Sequence, residues 1–276
     1  DSMLRSAADI WAISDTLAAA VIDAYRETVN DRARVDTQVR AALLDTLLDG
    51  SGDPAGLWDA ARLLRLPRQG RFVVVSAECL SPGEESVPRI ESLLHRADVA
   101  SAWRVDASRQ EGIVALRARF DVDRLAATIG EIAVARAGFS STFARLDDTA
   151  RAVRDARLAC AAGTPGSRTV TRFAEHPVAV LLASTPDAAA ALARHVLGKV
   201  LDLPADDRAM LIDTVRTWLA EAGSTSAAAG RLHMHRNTVR YRLRRIEELT
   251  GRDLTKPLDL GEVHLALESA RILALA

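Results

Sequence analysis

At 276 residues the chain exceeds one ordinary core and points to two or three domains. Aromatics make up only 4% while Ala, Leu, Val and Arg are plentiful, so aliphatic, mostly helical cores are expected. The formal net charge is -1, so any strongly basic stretch is a local feature and not a property of the whole chain. No apolar run is long enough to cross a bilayer, and the start, DSMLRSAADIW, lacks a basic segment followed by an apolar block. A cytoplasmic protein with no membrane partner is the expectation. Cys79 and Cys160 stand far apart without CxxC spacing, which argues against a disulfide framework and against a zinc site. Two reduced, mostly buried thiols are expected.

Residues 1–66 read as a helical segment. Ile10, Ile13, Leu17, Val21 and Tyr25, with Trp11 and Ala18 nearby, follow helical spacing. Val35, Val39, Ala42, Leu43, Leu47 and Leu48 do the same in a second helix. The run from Gly50 to Pro54 breaks that pattern, and a short helix over 55–64 leads to Pro67. A helical pattern this close to Asp1 suggests that sequence upstream is missing.

Residues 67–176 change character to α/β. RFVVVSAE, centred on Phe72 to Ser76, is a β-branched run suited to a buried strand, and 87–97 reads as a helix carrying Ile90, Leu93 and Leu94. Residues 102–106 and 112–118 look like paired strands joined by a polar turn over 107–111. A helix over 121–132, a strand over 133–138, a long helix over 146–161 and a last strand over 168–173 complete an alternating pattern, which indicates a layered α/β domain.

Residues 177–276 read as helical throughout. A short apolar helix over 177–183 comes first. Ser184 or Thr185 then caps a helix that has Pro186 in its first turn and runs to about Leu201. Pro204 breaks it, and Asp206 is a cap candidate for a helix bearing Leu211, Ile212, Val215, Trp218 and Leu219 that ends at Gly223. The informative stretch is 224–251, STSAAAGRLHMHRNTVRYRLRRIEELTG. Its first part is a short Ala-rich helix opened by Ser224 or Thr225, and a tight connection over 233–235 follows. From Arg236 to Thr250 the apolar residues Val239, Leu243, Ile246 and Leu249 form one stripe. The opposite side carries Asn237, Arg240, Tyr241 and Arg244, with Arg236 and Arg245 on the flanks. Arg231, Arg236, Arg240, Arg242, Arg244 and Arg245 fall between Arg231 and Ile246 with no acid among them, whereas a solvated helix normally mixes both signs. Gly251 suits a left-handed helix stop. Pro257 and Gly261 punctuate a connector, and 262–275 closes the domain with Val263, Leu267 and Ile272 inward.

The phrase LHMHRNTVRYRLRRIEELTG, between the Ala-rich helix and the apolar HLALESARIL, closely resembles the C-terminal helix-turn-helix of PucR/CdaR-type bacterial transcription regulators. That module is itself similar to the DNA-binding helix pair of Fis. The resemblance implies that His235, Arg236, Asn237, Thr238, Arg240 and Tyr241 enter or border the groove of double-stranded DNA, with Arg244 and Arg245 nearer the phosphates. It also implies a regulator that works as a homodimer or higher homo-oligomer and answers to a signal or small-molecule effector. The segment AGFSSTFARLDDTARAVRDARLACAAG looks like the end of the degenerate GGDEF-like domain of these regulators, and residues 1–66 are similar to the helical segment that precedes it. The expected architecture is therefore mostly α with an α/β middle domain. Its parts are a helical segment over 1–66, which is the end of an input or dimerisation domain, a GGDEF-like domain over 67–176 and an all-helical, Fis-like DNA-binding domain over 177–276.

Other chemistry is thinly represented. A working diguanylate cyclase needs acids at a strand edge to hold Mg²⁺ and a glycine-rich hairpin for nucleotide phosphates. The hairpin reads DASRQEGIVAL, in which Asp106 and Glu111 are present but paired glycines and adjacent acids are not. A signalling enzyme or nucleotide-binding protein acting through this domain is the alternative reading. The sequence contains no GxxxxGK[ST], GxGxxG after a strand, HExxH or GxSxG, so no catalytic residue, cofactor or metal is assigned. His233 and His235 flank Met234 without a nearby carboxylate or thiol, which fits a turn residue and a groove contact better than a metal site. Trp11, Trp58, Trp103 and Trp218 are expected in cores or domain interfaces.

Overall fold

The computed structural model describes residues 38–50 and 53–275. The stripe from Ile10 to Tyr25, Trp11 and Val35 lie outside the described residues. Helix α1 covers 38–49, and α2 (Pro54–Leu63) follows, with the Asp53 carboxylate accepting from the Gly56 N–H and Pro54 in the first turn, where its missing N–H costs nothing. A five-stranded sheet comes next, built from β1 (Arg71–Glu78), β2 (Ser101–Val105), β3 (Arg109–Leu116), β4 (Ala137–Phe139) and β5 (Val170–Arg172) in the order β2-β3-β1-β4-β5. Only the β4–β5 pair is parallel. Helices α3 (Ile90–Arg96), α4 (Val122–Ile132) and α5 (Thr149–Ala162) lie between the strands in sequence.

The period-2 alternation of the strands sorts their side chains onto two covered faces. Val73, Val75, Ala77, Trp103 and Val114 pack with Ile90 and Leu94 of α3 and Leu125 and Ile129 of α4. Phe72, Val74, Ala102, Ile113 and Ala115 pack on the other face with Leu44, Leu47 and Leu48 of α1, Leu57 and Ala61 of α2, and Ala152, Val153 and Ala156 of α5. The core of the sheet thus extends back across residue 66 to helices in the first segment. The inward stripe of α1 also differs in phase from the sequence expectation. Leu44, Leu47 and Leu48 are buried, whereas Val39 is 53% exposed and Ala42 faces solvent.

Two glycines permit close contacts in this sandwich. A Cβ on Gly138 would lie 2.0 Å from the Cys160 nitrogen and 2.3 Å from the Ala156 carbonyl oxygen, so α5 rests directly on the β4 backbone. A Cβ on Gly112 would lie 2.3 Å from the Trp103 ring, which covers that position from the neighbouring strand. Cys79 and Cys160 are both free; Cys160 is buried, and burial pushes its thiol up to about 11, while Cys79 is half-buried.

The β2–β3 hairpin turns earlier than the sequence pattern suggests. β3 begins at Arg109, so Gln110 and Glu111 are strand residues, and both are buried. Gln110 accepts from the Val87 N–H at 2.6 Å. Asp106 closes the turn by accepting from the N–H groups of Ser108 and Arg109, each at 2.7 Å. Glu111 is fully buried and accepts two bonds from Arg157, at 2.6 and 2.8 Å, and one from Arg104 at 2.9 Å. Arg104 also reaches Asp45 and Asp49 on α1, at 2.6 and 3.0 Å. The network ties α1, β2, β3 and α5 together, and the two acids of the hairpin are both engaged in holding it.

The remaining helices are α6 (Pro177–Ser184), α7 (Pro186–Leu201), α8 (Ala205–Ala220), α9 (Thr225–Arg231), α10 (Arg236–Thr250) and α11 (Pro257–Ile272). Two local expectations are corrected here. Asp206 sits inside the first turn of α8, after Pro204, and does not cap it. α11 starts at Pro257, since proline fits a first helical turn, and Gly261 lies within the helix with no neighbour within 4 Å of where a Cβ would be. A second aliphatic core joins α7 through α11. A smaller cluster of Ala162, Val180, Leu182, Ala189 and Ile272 joins α5 to α6, α7 and α11. Arg271 on α11 donates to the Ala162 carbonyl at 3.1 Å and to Thr164 Oγ1 at 2.9 Å, placing a cation at the C-terminus of α5, where the helix dipole favours one.

Burial alone would raise the Glu111 carboxyl, but the bonds and charges of Arg157 and Arg104 outweigh it and hold the group below the ordinary carboxylate value. A depressed carboxylate contributes stability that is complete above about pH 5 and is lost as pH falls through the lowered value. Glu111→Gln is therefore expected to cost about 3 kcal/mol at neutral pH, towards the low end for opening a buried pair because Arg157 retains access to water. Urea unfolding of both proteins across pH should show that difference shrinking below about pH 4.

Candidate nucleic-acid interface

The basic stretch forms two helices and a tight turn. The Ser224 hydroxyl accepts from the Ala227 N–H at 3.2 Å and opens α9, whose Ala228 and Ala229 are buried against neighbouring helices. α9 ends in a paired bond pattern, with the Met234 N–H donating to the Ala229 carbonyl at 3.0 Å and the His233 N–H to the Gly230 carbonyl at 3.2 Å. This closure holds His233 in the left-handed region at φ 53°. His235 then caps α10, its Nδ1 accepting from the Asn237 N–H at 3.2 Å. Two residues expected to be a turn residue and a groove neighbour thus set the angle between the helices.

α10 is sharply two-sided. Val239, Leu243 and Ile246 are buried in the core with α7, α8 and α11, each contributing about 1.5–3 kcal/mol of burial, and Leu249 is half-buried at its end. Gly251, at φ 66°, ends the helix, its N–H donating to the Glu247 carbonyl at 2.8 Å. On the other side, His235, Arg236, Asn237, Thr238, Arg240, Tyr241, Arg244 and Arg245 are all exposed. Tyr241 has 69% of its surface open to solvent, an unusual setting for a large ring with no covering neighbour.

The arginines of the stretch differ in setting. Arg245 pairs with Glu248 at 3.0 Å, and Arg231 with Glu221 at 3.3 Å. Arg242, to which the sequence assigned no role, is half-buried and donates to Thr214 Oγ1 on α8 at 3.2 Å. Round the helix it falls between Ile246 and Leu249, within the apolar stripe itself, and that position is the signal in the sequence that it anchors the helix and does not face outward. Among the described residues no group of His, Cys, Asp and Glu is arranged to hold a metal ion, and no helix is long and apolar enough to cross a membrane.

Two family models match the chain. The PucR C-terminal helix-turn-helix domain matches residues 211–269, and the GGDEF-like domain matches residues 49–162. Residues 211–269 thus form a domain similar to the PucR C-terminal helix-turn-helix, and residues 49–162 a GGDEF-like domain. The second match includes α2, in keeping with the core that α2 shares with the sheet. The transcriptional activator PmfR of Paenarthrobacter nicotinovorans is 35% identical to this chain over 136 residues, which is 49% of the chain and 28% of PmfR. An uncharacterised protein of Mycobacterium tuberculosis is 28% identical over 267 residues, covering 92% of the chain and 63% of that protein. The purine catabolism regulatory protein of Bacillus subtilis is 39% identical over 64 residues, covering 23% of the chain and 12% of that protein. The chain therefore spans less than two thirds of the length of these relatives.

The left-handed His233 yields a test of the turn. A side chain with a Cβ in that region costs about 1–2 kcal/mol relative to glycine, so His233→Gly is expected to keep the fold and match or exceed the parent melting temperature. Replacement by Val, whose branched side chain resists that conformation, should lower it.

Proposed function

We propose that the chain is a transcription regulator that binds specific double-stranded DNA through α10, as a cytoplasmic homodimer whose occupancy of DNA responds to a signal or metabolite. In this reading residues 177–276 are the DNA-binding domain, 67–176 the GGDEF-like domain that controls it, and 1–66 the end of an input or dimerisation segment. The observation that carries the proposal is the sidedness of α10. Its apolar stripe is anchored in its own domain, while Arg236, Asn237, Arg240, Tyr241 and Arg244 stand open on one face. The match to the PucR helix-turn-helix domain and the regulator names of two relatives support it.

The chemistry of the exposed face suits a major groove. An arginine bonds guanine O6 and N7 in a fork, and an asparagine does the same for adenine N6 and N7, each worth about 1–3 kcal/mol of base discrimination. Arg236, Asn237 and Arg240, on the first turns of α10, are assigned to base edges, with His235, Thr238 and Tyr241 bordering the groove. Arg244 and Arg245, further along, are assigned to phosphates, which add affinity without sequence choice. One such helix covers too little DNA for strong selectivity, so two copies on two half-sites are required, their spacing set by the dimer. The proposed activity is binding, with no turnover assigned to the GGDEF-like domain, where Asp106 and Glu111 are occupied in holding the hairpin.

Selection of bound fragments from genomic DNA supplies the operator for a gel-shift series. Arg236→Ala and Arg240→Ala are each expected to weaken operator binding by about 1–3 kcal/mol and relax base choice. Arg244→Ala and Arg245→Ala should weaken binding to all sequences and reduce the salt dependence by about one released ion each. Operator binding by Arg236→Ala and Arg240→Ala as tight as by the parent would sink the assignment of the face.

A further inference from the structure

Among the described residues the GGDEF-like domain has an open flank at β2. The ladder bonds from the Ala115 N–H to the Ala100 carbonyl, 2.9 Å, and from the Asp106 N–H to the Arg109 carbonyl, 2.8 Å, set the pairing phase of the strand. In that phase Ala102 and Arg104 turn their main-chain groups to β3, and Ser101 and Trp103 turn theirs off the edge. α1 and α3 flank this edge from opposite faces of the sheet and are tied across it by the Arg40–Glu91 ion pair. Below that tie lies a cleft of about 560 Å³, and a second of about 380 Å³ adjoins it, sharing Arg65, Ala100 and Arg117. Both volumes fall within the range of small-molecule sites, about 300–1,000 Å³.

The lining has the makeup of an anion site. Leu64, Val99 and Ala100 supply apolar wall, and Arg40, Arg65 and Arg117 supply three guanidinium groups. Two carboxylates also line the cleft, and each is already matched, Glu91 by Arg40 and Asp98 by Arg117. Arg65 has no acidic partner among the described residues, which leaves one positive charge in excess. Its backbone is held left-handed at φ 60°, an uncommon setting for a long side chain. Ser101 adds a second and independent mark. The residue lines the same cleft, and its hydroxyl oxygen is shut off from solvent with no hydrogen-bond partner, a condition that costs about 1–3 kcal/mol unless a ligand that displaces the wall relieves it.

We infer that the cleft along β2 binds a small organic anion, a carboxylate or a phosphate monoester, with its oxygens taken by Arg65, Arg117 and the Ser101 hydroxyl and its apolar body laid against Leu64 and Val99. The meaning of this site as the input of a regulator rests on the function proposed above. The binding itself does not, and it is tested without DNA, so failure of either assignment is seen separately.

Benzoate, phenyl phosphate and inorganic phosphate are the probes, titrated calorimetrically into the full 276-residue chain. Benzoate, phenyl phosphate or both are expected to bind one to one and to raise the melting temperature, the pattern between them fixing which oxyanion is preferred. Arg65→Asn, which tolerates the left-handed backbone, and Arg117→Gln should each weaken binding about ten-fold or more. Arg68→Gln, outside the cleft, should bind like the parent. Ser101→Ala separates a ligand role from a structural one, because it should leave the unliganded melting temperature equal or higher and still weaken binding. The assignment is overturned if neither organic anion binds at millimolar concentration, if the Arg65 and Arg117 variants bind as the parent does, or if inorganic phosphate binds as tightly as phenyl phosphate.

Discussion

The sheet and the C-terminal helices share one support, α5, and α5 can lie directly on β4 because residue 138 has no side chain. From that contact α5 works in two directions. Its inner face fills the core under β1 with Ala152, Val153 and Ala156, and Arg157 reaches the buried Glu111. Its far end meets α6 and α11, where the Arg271 guanidinium bonds its last carbonyl, that of Ala162. Small residues dominate α5 for this reason. A bulkier side chain at Ala156 or Ala159, both fully buried, would lift the helix from the strand and alter its contacts with everything downstream.

The same economy governs the basic helix. In the proposed role of reading base edges the α10 face must be held still, since a donor placed about an ångström off loses most of its bond. α10 is held by three independent means: the aliphatic stripe, the Arg242 bond to Thr214 on α8, and the His233 to His235 closure that fixes its entry angle. α7 and α11, which seat the stripe, also contribute Ala189 and Ile272 to the cluster around Ala162. The path from the sheet to the exposed arginines therefore runs through packed side chains and one charged cap. It does not rely on a flexible linker.

Much of this was legible in the residues because one side of each element faced a core and the other faced water. The α10 stripe and its glycine stop follow from the sequence alone, and so do β1 and α4, whereas the structure decides for Ser224 over Thr225 as the cap of α9. The misreadings have physical causes. Gln110 and Glu111 look like turn residues because they are polar, yet each is buried with its hydrogen bonds supplied by residues distant in sequence, Val87 for one and Arg104 and Arg157 for the other. The phase of α1 is ambiguous in the sequence because Val39 and Leu44 are equally apolar, and only the position of the sheet decides which is buried. Pro257 and Gly261 look like breaks, although a proline at a first turn and a glycine on an open helix flank are both compatible with α11. The cleft at β2 left no mark in the sequence, since Arg40, Arg65, Ser101 and Arg117 are brought together only by the sheet edge.

Arg104 grips two aspartates one helical turn apart on α1 while its other edge neutralises a carboxylate that water does not reach. A turn of α1 about its own axis by a single residue step, about 100°, would carry both aspartates away from that grip together and leave Arg104 to Glu111 alone. The azimuth of α1 is thus set twice over, by Leu44, Leu47 and Leu48 in the core and by one guanidinium that holds both aspartates only at this setting.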